Sequence, residues 1–202
     1  MSEQLSSGIY FVRHGETTAN VGLAMEYNPQ LTAHGTTQAL EAGVRLSNLQ
    51  PVAIIHTGLD RTKETAMLIQ LGGNFSEVPV FEMPNFAERQ YGVYSGQGAM
   101  KAIRAQNGME ERFEQFGPSC VWFLAGDSEK GVESVEHMRE RILTGLMKVK
   151  KKFGENPIII VAHEGSIKMV ELIYQHIEQG LPERLARRRI VNCEVLNLQE
   201  TC

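Results

Sequence analysis

The stretch Gly8-Ile9-Tyr10-Phe11-Val12-Arg13-His14-Gly15-Glu16-Thr17 decides how this chain is read. Its first half is a short, continuous apolar run, the pattern of a strand covered on both faces. Its second half sets a guanidinium and an imidazole at that strand's C-terminal end, where open α/β sheets bind ligands. A neutral imidazole supplies a nucleophilic nitrogen, and a guanidinium presents a rigid donor fork matched to phosphate oxygens. The pair points to phosphoryl transfer through a histidine.

Working outward, two more apolar runs repeat the pattern. Val52-Ala53-Ile54-Ile55-His56 leads to Asp60-Arg61 at the start of a helical stretch from Thr62 to Leu71, and Asn156-Pro157-Ile158-Ile159-Ile160-Val161-Ala162 ends at His163. Three predicted strands therefore bring His14, Arg61 and His163 to one edge. Between them the periodicity predicts helices over Thr32 to Leu49, with Thr32 as N-cap, and over Ser134 to Phe153. A helix from Ile167 to Ile177 follows His163, and Arg189 to Leu198 reads as a closing strand. Strand-helix alternation of this kind predicts a layered α/β fold around a mainly parallel sheet. Residues 97–128 differ, combining large apolar side chains with Gly and Pro breaks, and read as an insertion over the sheet edge whose apolar residues fill a small helical core.

With 202 residues, 42% hydrophobic and 22% charged, the chain suits one ordinary globular domain. A net charge of −4 argues against a general nucleic-acid or anionic-membrane binder. The three cysteines, Cys120, Cys193 and Cys202, lack metal-ligand spacing and suggest reduced thiols. No basic segment leads into an apolar one at the N-terminus, and no run reaches the length of a membrane span. The expectation is a soluble cytoplasmic protein with no membrane or nucleic-acid partner.

Four further motifs extend the opening one: Leu31-Thr32-Ala33-His34-Gly35, Thr57 to Ala66 with Arg61 inside it, Glu88-Arg89-Gln90-Tyr91-Gly92, and Val161-Ala162-His163-Glu164-Gly165. In this order, from about Ile9 to Leu198, the set resembles the histidine phosphatase superfamily. Arg13-His14-Gly15-Glu16 with His163-Glu164-Gly165 is similar to its phosphoglycerate mutase-like branch, branch 1. The acid phosphatase branch carries Arg-His-Gly-x-Arg and a terminal His-Asp instead. The resemblance implies a single domain over 1–202, a three-layer α/β/α sandwich with a mainly parallel central sheet. In it the small helical insertion at 97–128 would shape the substrate pocket. It implies no cofactor and no metal.

Residue by residue, His14 is the expected nucleophile, because a phosphohistidine splits one difficult displacement into two. Without a metal, several fixed cations must neutralise the phosphoryl oxygens, and Arg13, Arg61 and His163 answer that need. Arg61 also follows a strand at a helix N-terminus, where backbone N–H groups favour anions. In the resembled family the second histidine binds the phosphoryl group without attacking it, a role carried here to His163. Glu88 is the expected proton donor, since an alkoxide leaves poorly until protonated, and it could later activate water. Asn20 matches a position whose amide contacts phosphate, and Thr17 adds a hydroxyl. Gly15 either admits phosphate to the backbone or fixes the His14 tautomer. Glu164 and Gly165 complete the expected phosphate-binding set.

Other features read as structural. Glu133-Ser134 resembles a Gly-Glu-Ser turn that caps a helix. His34, His56, His137 and His176 lack a comparable context, and Lys148 to Lys152 and Arg187 to Arg189 read as solvated faces. His163-Glu164 is no zinc signature, because position 167 is Ile. The leading expectation is a metal-independent phosphomonoesterase acting on a phosphorylated small molecule. The alternative is a phosphoglycerate mutase-type phosphoryl transfer. Against it, the family's lysine position holds Ala99, Lys101 comes two residues late, and no arginine pair lies near Trp122. A third reading is an inactive phospho-ligand binding module. The substrate and the oligomeric state are open at this point.

Overall fold

The computed structural model describes residues 8–22, 28–96, 98–187 and 189–197. Among these, five strands form one sheet: β1 (Ile9–Arg13), β2 (Ala53–His56), β3 (Val80–Glu82), β4 (Ile158–Ala162) and β5 (Val195–Asn197), in the order β3-β2-β4-β1-β5. The first four are parallel, and β5 closes the β1 edge antiparallel. The described helices are α1 (Thr18–Gly22), α2 (Ala33–Leu46), α3 (Asp60–Gly72), α4 (Ala99–Arg104), α5 (Met109–Phe116), α6 (Val135–Phe153), α7 (Glu164–Tyr174) and α8 (Leu181–Arg187).

Pleating sends alternate strand residues into two cores. Phe11, Ile55, Ile158 and Ile160 join one, packed with Met138 and Ile142 of α6 and Ile167 of α7. Tyr10, Val12, Ile54, Ile159 and Val161 join the other, packed with Ala39 and Leu46 of α2 and Ile69 of α3. Both faces are covered, which is why the strand runs show no polar alternation. Each fully buried isoleucine contributes about 1.5–3 kcal/mol, so β4 alone, with Ile158, Ile159 and Ile160 all inaccessible to solvent, is a major part of the core. The result is a three-layer α/β/α sandwich with a mainly parallel sheet, as the strand-helix alternation predicts.

The topology builds the crevice. β4 enters the sheet between β1 and β2, so the chain ends leaving β1 and β4 lie side by side. Arg13 registers against Ala162, and the His14 amide donates to the Ala162 carbonyl at 3.0 Å. His14 and His163 thus leave adjacent strands on the same edge. The loop after β1 then passes against α2 so closely that a Cβ on Gly15 would lie 2.5 Å from the Gly35 carbonyl oxygen, and one on Gly35 would lie 2.1 Å from that of Glu16. Thr32 caps α2 by accepting from the Gly35 amide, and its hydroxyl donates to the Glu16 carboxylate at 2.8 Å.

Several boundaries differ from the sequence expectation. α7 begins at Glu164, three residues before the expected Ile167, because its polar first turn is capped from within: the Ser166 hydroxyl accepts from the His163 amide at 3.3 Å. The closing strand is only Val195–Asn197, since Cys193 at φ 56° turns the backbone just before it; the expected end at Leu198 lies outside the described residues. β3, α1 and α8 were not expected, being short and framed by Gly, Pro and polar residues. The insertion expected from Gln97, itself outside the described residues, consists of α4, α5 and a 3-10 segment at Gly117–Phe123. Its Ile103, Met109, Cys120, Val121 and Trp122 are buried in the α6 and α7 core. No described helix is long and apolar enough to cross a membrane.

Candidate active site

His14 sits at the C-terminal end of β1 with only 6% of its surface exposed. Its Nδ1 lies 2.8 Å from the Gly15 carbonyl oxygen. A carbonyl can only accept, so Nδ1 carries the proton and Nε2 keeps its lone pair. Burial, then the Arg61 charge, and more weakly Arg13, pull the pKa down to about 3, although the bond to Gly15 opposes them. The ring is therefore neutral near pH 7 with its nucleophilic nitrogen unprotonated. Of the two roles expected for Gly15, fixing the tautomer is the one the geometry supplies. Its amide donates to the Thr65 hydroxyl at 3.0 Å and is engaged within the protein.

His163 caps α7 at the end of β4, its ring centroid 5.3 Å from that of His14. Arg61 Nη2 lies 3.2 Å from Nδ1, and the Thr57 hydroxyl lies 2.8 Å from Nε2. A guanidinium can only donate, so Nδ1 accepts and Nε2–H donates to Thr57. The Thr57 hydroxyl lies 3.0 Å from that of Thr62, which donates to the Leu59 carbonyl at 2.8 Å. Burial first, then the neighbouring His14 and Arg61, hold the His163 pKa well below its ordinary value. Both ring nitrogens are engaged in this arrangement, and through Nδ1 His163 orients Arg61.

Arg13 donates through Nη1 to the Ile190 carbonyl and pairs with Glu164 at 3.1 Å. Its Nε is buried without a hydrogen-bond partner among the described residues. A buried, unpartnered guanidinium N–H carries a desolvation cost of about 1–3 kcal/mol that an anion bound there would relieve. Glu164 serves as the counter-ion of Arg13 and of buried Lys168, whose Nζ lies 2.7 Å away. Its carboxylate is thereby committed to two cations, one of them on the expected phosphate-binding arginine.

Glu88 reaches the site from the segment after β3. One carboxylate oxygen accepts from the Gly165 amide at 3.0 Å and the other from the Arg89 amide at 2.9 Å. Gly165 is required here because a Cβ would lie 2.2 Å from Glu88 Oε1 and 2.4 Å from Cη2 of Trp122. Its contribution is close approach and orientation of the carboxyl group. Burial, reinforced by Glu88, pushes the Tyr91 hydroxyl pKa up and keeps it neutral.

Asn20 and Thr17 join the cluster as a unit. Asn20 Oδ1 accepts from the Thr17 amide and hydroxyl, both at 3.0 Å, and from Asn192 Nδ2 at 3.3 Å. With its oxygen saturated, Asn20 has its Nδ2 left to offer, and among the described residues that nitrogen has no partner. Asn192 Nδ2 also donates to the His14 carbonyl at 2.9 Å. Sequence reasoning missed Asn192 and the roles of Thr57 and Thr65, which lie inside the Thr57 to Ala66 motif: each acts across the fold on a residue from another strand end, and nothing in its local sequence names that partner. Lys168 had a weak signal, a lysine four residues after Glu164 on one helix face. Among the described residues, no group of three or more His, Cys, Asp or Glu side chains is placed to hold a metal ion.

An α/β sandwich carrying two neutral histidines, two arginines and a carboxyl group at one sheet edge defines a phosphatase-type enzyme. The comparisons with known proteins agree. The family model described as histidine phosphatase superfamily (branch 1) matches residues 9–201. The chain belongs to that superfamily. It is 28% identical over 195 residues to an uncharacterized phosphatase, PhoE, of Bacillus subtilis, covering 96% of this chain and 88% of that one. It is 29% identical over 169 residues to a metal-independent phosphoserine phosphatase of Arabidopsis thaliana, covering 81% and 67%. A phosphoglycerate mutase structure from Bacillus anthracis shares the fold with a TM-score of 0.76 at 19% identity, covering 96% of this chain and 88% of that one.

Proposed function

We propose that this chain is a metal-independent phosphomonoesterase that hydrolyses a phosphorylated small molecule through a phosphohistidine on His14. The observation that carries the reading is the state of that ring: buried, neutral, with Nδ1 tied to Gly15 and Nε2 left with its lone pair beside two guanidinium groups. Nε2 attacks phosphorus while the bond to the leaving oxygen breaks, and the Glu88 carboxyl gives that oxygen its proton. Water then attacks the phosphohistidine; Glu88 takes its proton, the N–P bond breaks, and inorganic phosphate leaves with His14 restored. Arg61, held by His163, Arg13 through its unpartnered Nε, and the Asn20 amide hold the phosphoryl oxygens, in keeping with catalysis that rests on positioning and fixed charge. The 97–128 segment, which presses Trp122 against Gly165, shapes the space for the rest of the substrate. A reducing, cytoplasmic setting suits the buried thiols Cys120 and Cys193.

Hydrolysis is preferred to isomerisation on the residues named above: Ala99 at the expected lysine position and no arginine pair near Trp122. Rapid-quench labelling tests the chemistry. The expected species is a phosphoenzyme that is labile in acid, stable in alkali, unaffected by EDTA and absent from His14→Ala. Full turnover by His14→Ala with no such species would overturn the reading. Incubation with 3-phosphoglycerate, with and without 2,3-bisphosphoglycerate, separates the mutase: primer-dependent isomerisation faster than phosphate release would reverse the preference.

A further inference from the structure

We infer that Arg141, locked to Glu133, is a positioning residue that fixes the reach of Glu88 toward the leaving group; the inference rests on the proton-donor role given to Glu88 above. Glu88 lies on an irregular segment between β3 and the insertion, and such a segment does not by itself hold a side chain to the tolerance proton transfer needs. The Gly165 and Arg89 amides fix the carboxylate itself, and the backbone that carries it is held from α6. The Arg141 guanidinium forms a two-point fork with Glu133, Nε to Oε1 at 2.6 Å and Nη2 to Oε2 at 2.9 Å. Its remaining donors reach backward onto the acid-bearing segment, Nη1 to the Asn85 carbonyl at 2.9 Å and Nη2 to the Glu88 carbonyl at 3.2 Å.

Glu133 completes the clamp from the other side. Its amide donates to the Gln90 carbonyl at 2.9 Å, its carboxylate accepts from the Gln90 amide at 3.3 Å, and its carbonyl accepts from Arg89 Nε at 2.8 Å. Backbone groups of residues 85, 88 and 90 and the side chain of residue 89 are thus all tied to this one pair. The Glu133 and Arg141 side chains are 6% and 18% exposed, so the pair is largely desolvated and both partners are needed for either to be tolerable. The fork geometry cannot be reproduced by lysine, which offers a point charge.

The pair also borders an open cleft of about 820 Å³ whose lining includes Asn85, Gln90, Ser134 and His137 and none of His14, Arg61, Glu88 or His163. A small cation can therefore reach the place of Arg141 without entering the site.

The test exploits the leaving group. A general acid matters for an alcohol or phenol that leaves poorly and hardly at all for dinitrophenolate. We compare kcat/KM for phenyl phosphate and for 2,4-dinitrophenyl phosphate, since kcat/KM ends with departure of the leaving group and excludes hydrolysis of the phosphoenzyme. Glu88→Gln should lose about 10²–10⁴-fold on phenyl phosphate and less than about threefold on the dinitrophenyl ester. Arg141→Ala and Glu133→Gln should each lose roughly tenfold or more on phenyl phosphate with the same selectivity, as a 1 Å misplacement of a catalytic group can cost about 10²-fold. Methylguanidinium should restore part of the phenyl phosphate rate to Arg141→Ala.

Equal losses on both esters, or none on either, would overturn the inference while leaving Glu88 as the acid. Absence of leaving-group selectivity in Glu88→Gln would instead remove the proton-donor reading, and the inference with it. Should Arg141→Ala not fold, Arg141→Lys keeps the charge without the fork, and its ratio of losses on the two esters decides in the same way.

Discussion

Acidification should destabilise this protein through His14, by an amount that can be worked out. Folded, the ring has a pKa pulled down to about 3, against an ordinary 6.5 in the unfolded chain. The unfolded state therefore takes up a proton that the folded state refuses. Stability is intact above about 6.5 and falls as pH drops through that value, until protonation of the folded ring near 3 stops the loss. Since pH 5 lies about 1.5 below the unfolded value and well above the folded one, the cost there is about 2 kcal/mol from His14 alone. His163, shifted the same way by burial and by its neighbours, adds to it. For a chain of this size about 2 kcal/mol corresponds to roughly 4–8 °C in Tm. The assay is thermal unfolding of the wild type and His14→Gln at about pH 8 and about pH 5, the carboxylates and the histidines outside the site contributing alike to both proteins, while His163 keeps the burial that is the largest cause of its own shift. The wild type should lose roughly 4–8 °C more than the variant. An equal fall in the two would mean that His14 is not held neutral by the fold, and the nucleophile argument would lose its basis.

Other positions give independent checks. Asn192→Leu removes the bonds to the His14 carbonyl and to Asn20 Oδ1; kcat/KM on p-nitrophenyl phosphate should fall about tenfold, matching about 1.4 kcal/mol of lost orientation, and a change under about twofold would deny Asn192 a part. Gly165→Ala drives a Cβ into Glu88 and Trp122, so it should cost about 1–3 kcal/mol in urea unfolding and shift the emission of the single tryptophan, which an unchanged spectrum would contradict. Thr65→Val leaves the buried Gly15 amide without its acceptor at 3.0 Å, with an expected loss of about 1–3 kcal/mol. Vanadate should raise the Tm of the wild type and leave that of Arg61→Met unmoved; stabilisation of both would place the anion elsewhere.

What could be read from sequence was whatever a strand end announces locally. β1, β2 and β4 are buried on both faces, so their residues must be continuously apolar, and each run stops where the backbone leaves the sheet. His14 and His163 follow such stops directly, and Arg61 follows one at a helix start, so their meeting could be inferred from parallel order alone. The caps of α2 and α6 were legible for the same local reason, Thr32 and Ser134 each accepting from an amide three residues on. The connection of these edges was not legible. Asn192 reaches His14 across 178 positions and Thr57 reaches His163 across 106, through single hydrogen bonds that leave no periodicity behind.

Glu133 shows where local reading and tertiary role part. By sequence it precedes the N-cap Ser134 and reads as part of a helix start, with its carboxylate favoured there by the dipole. In the fold that carboxylate turns to Arg141, the seventh residue of α6, and its backbone pairs with Gln90. Capping and clamping are compatible because they use different atoms: Ser134 supplies the capping hydroxyl, and the carboxylate of Glu133 is left for the guanidinium. One turn of chain thus starts α6, holds Arg141 and anchors the segment bearing Glu88. A substitution at Glu133 that keeps the helix can therefore still disturb the chemistry at Glu88. The ratio of rates on good and poor leaving groups separates those two effects, and a stability measurement alone would merge them.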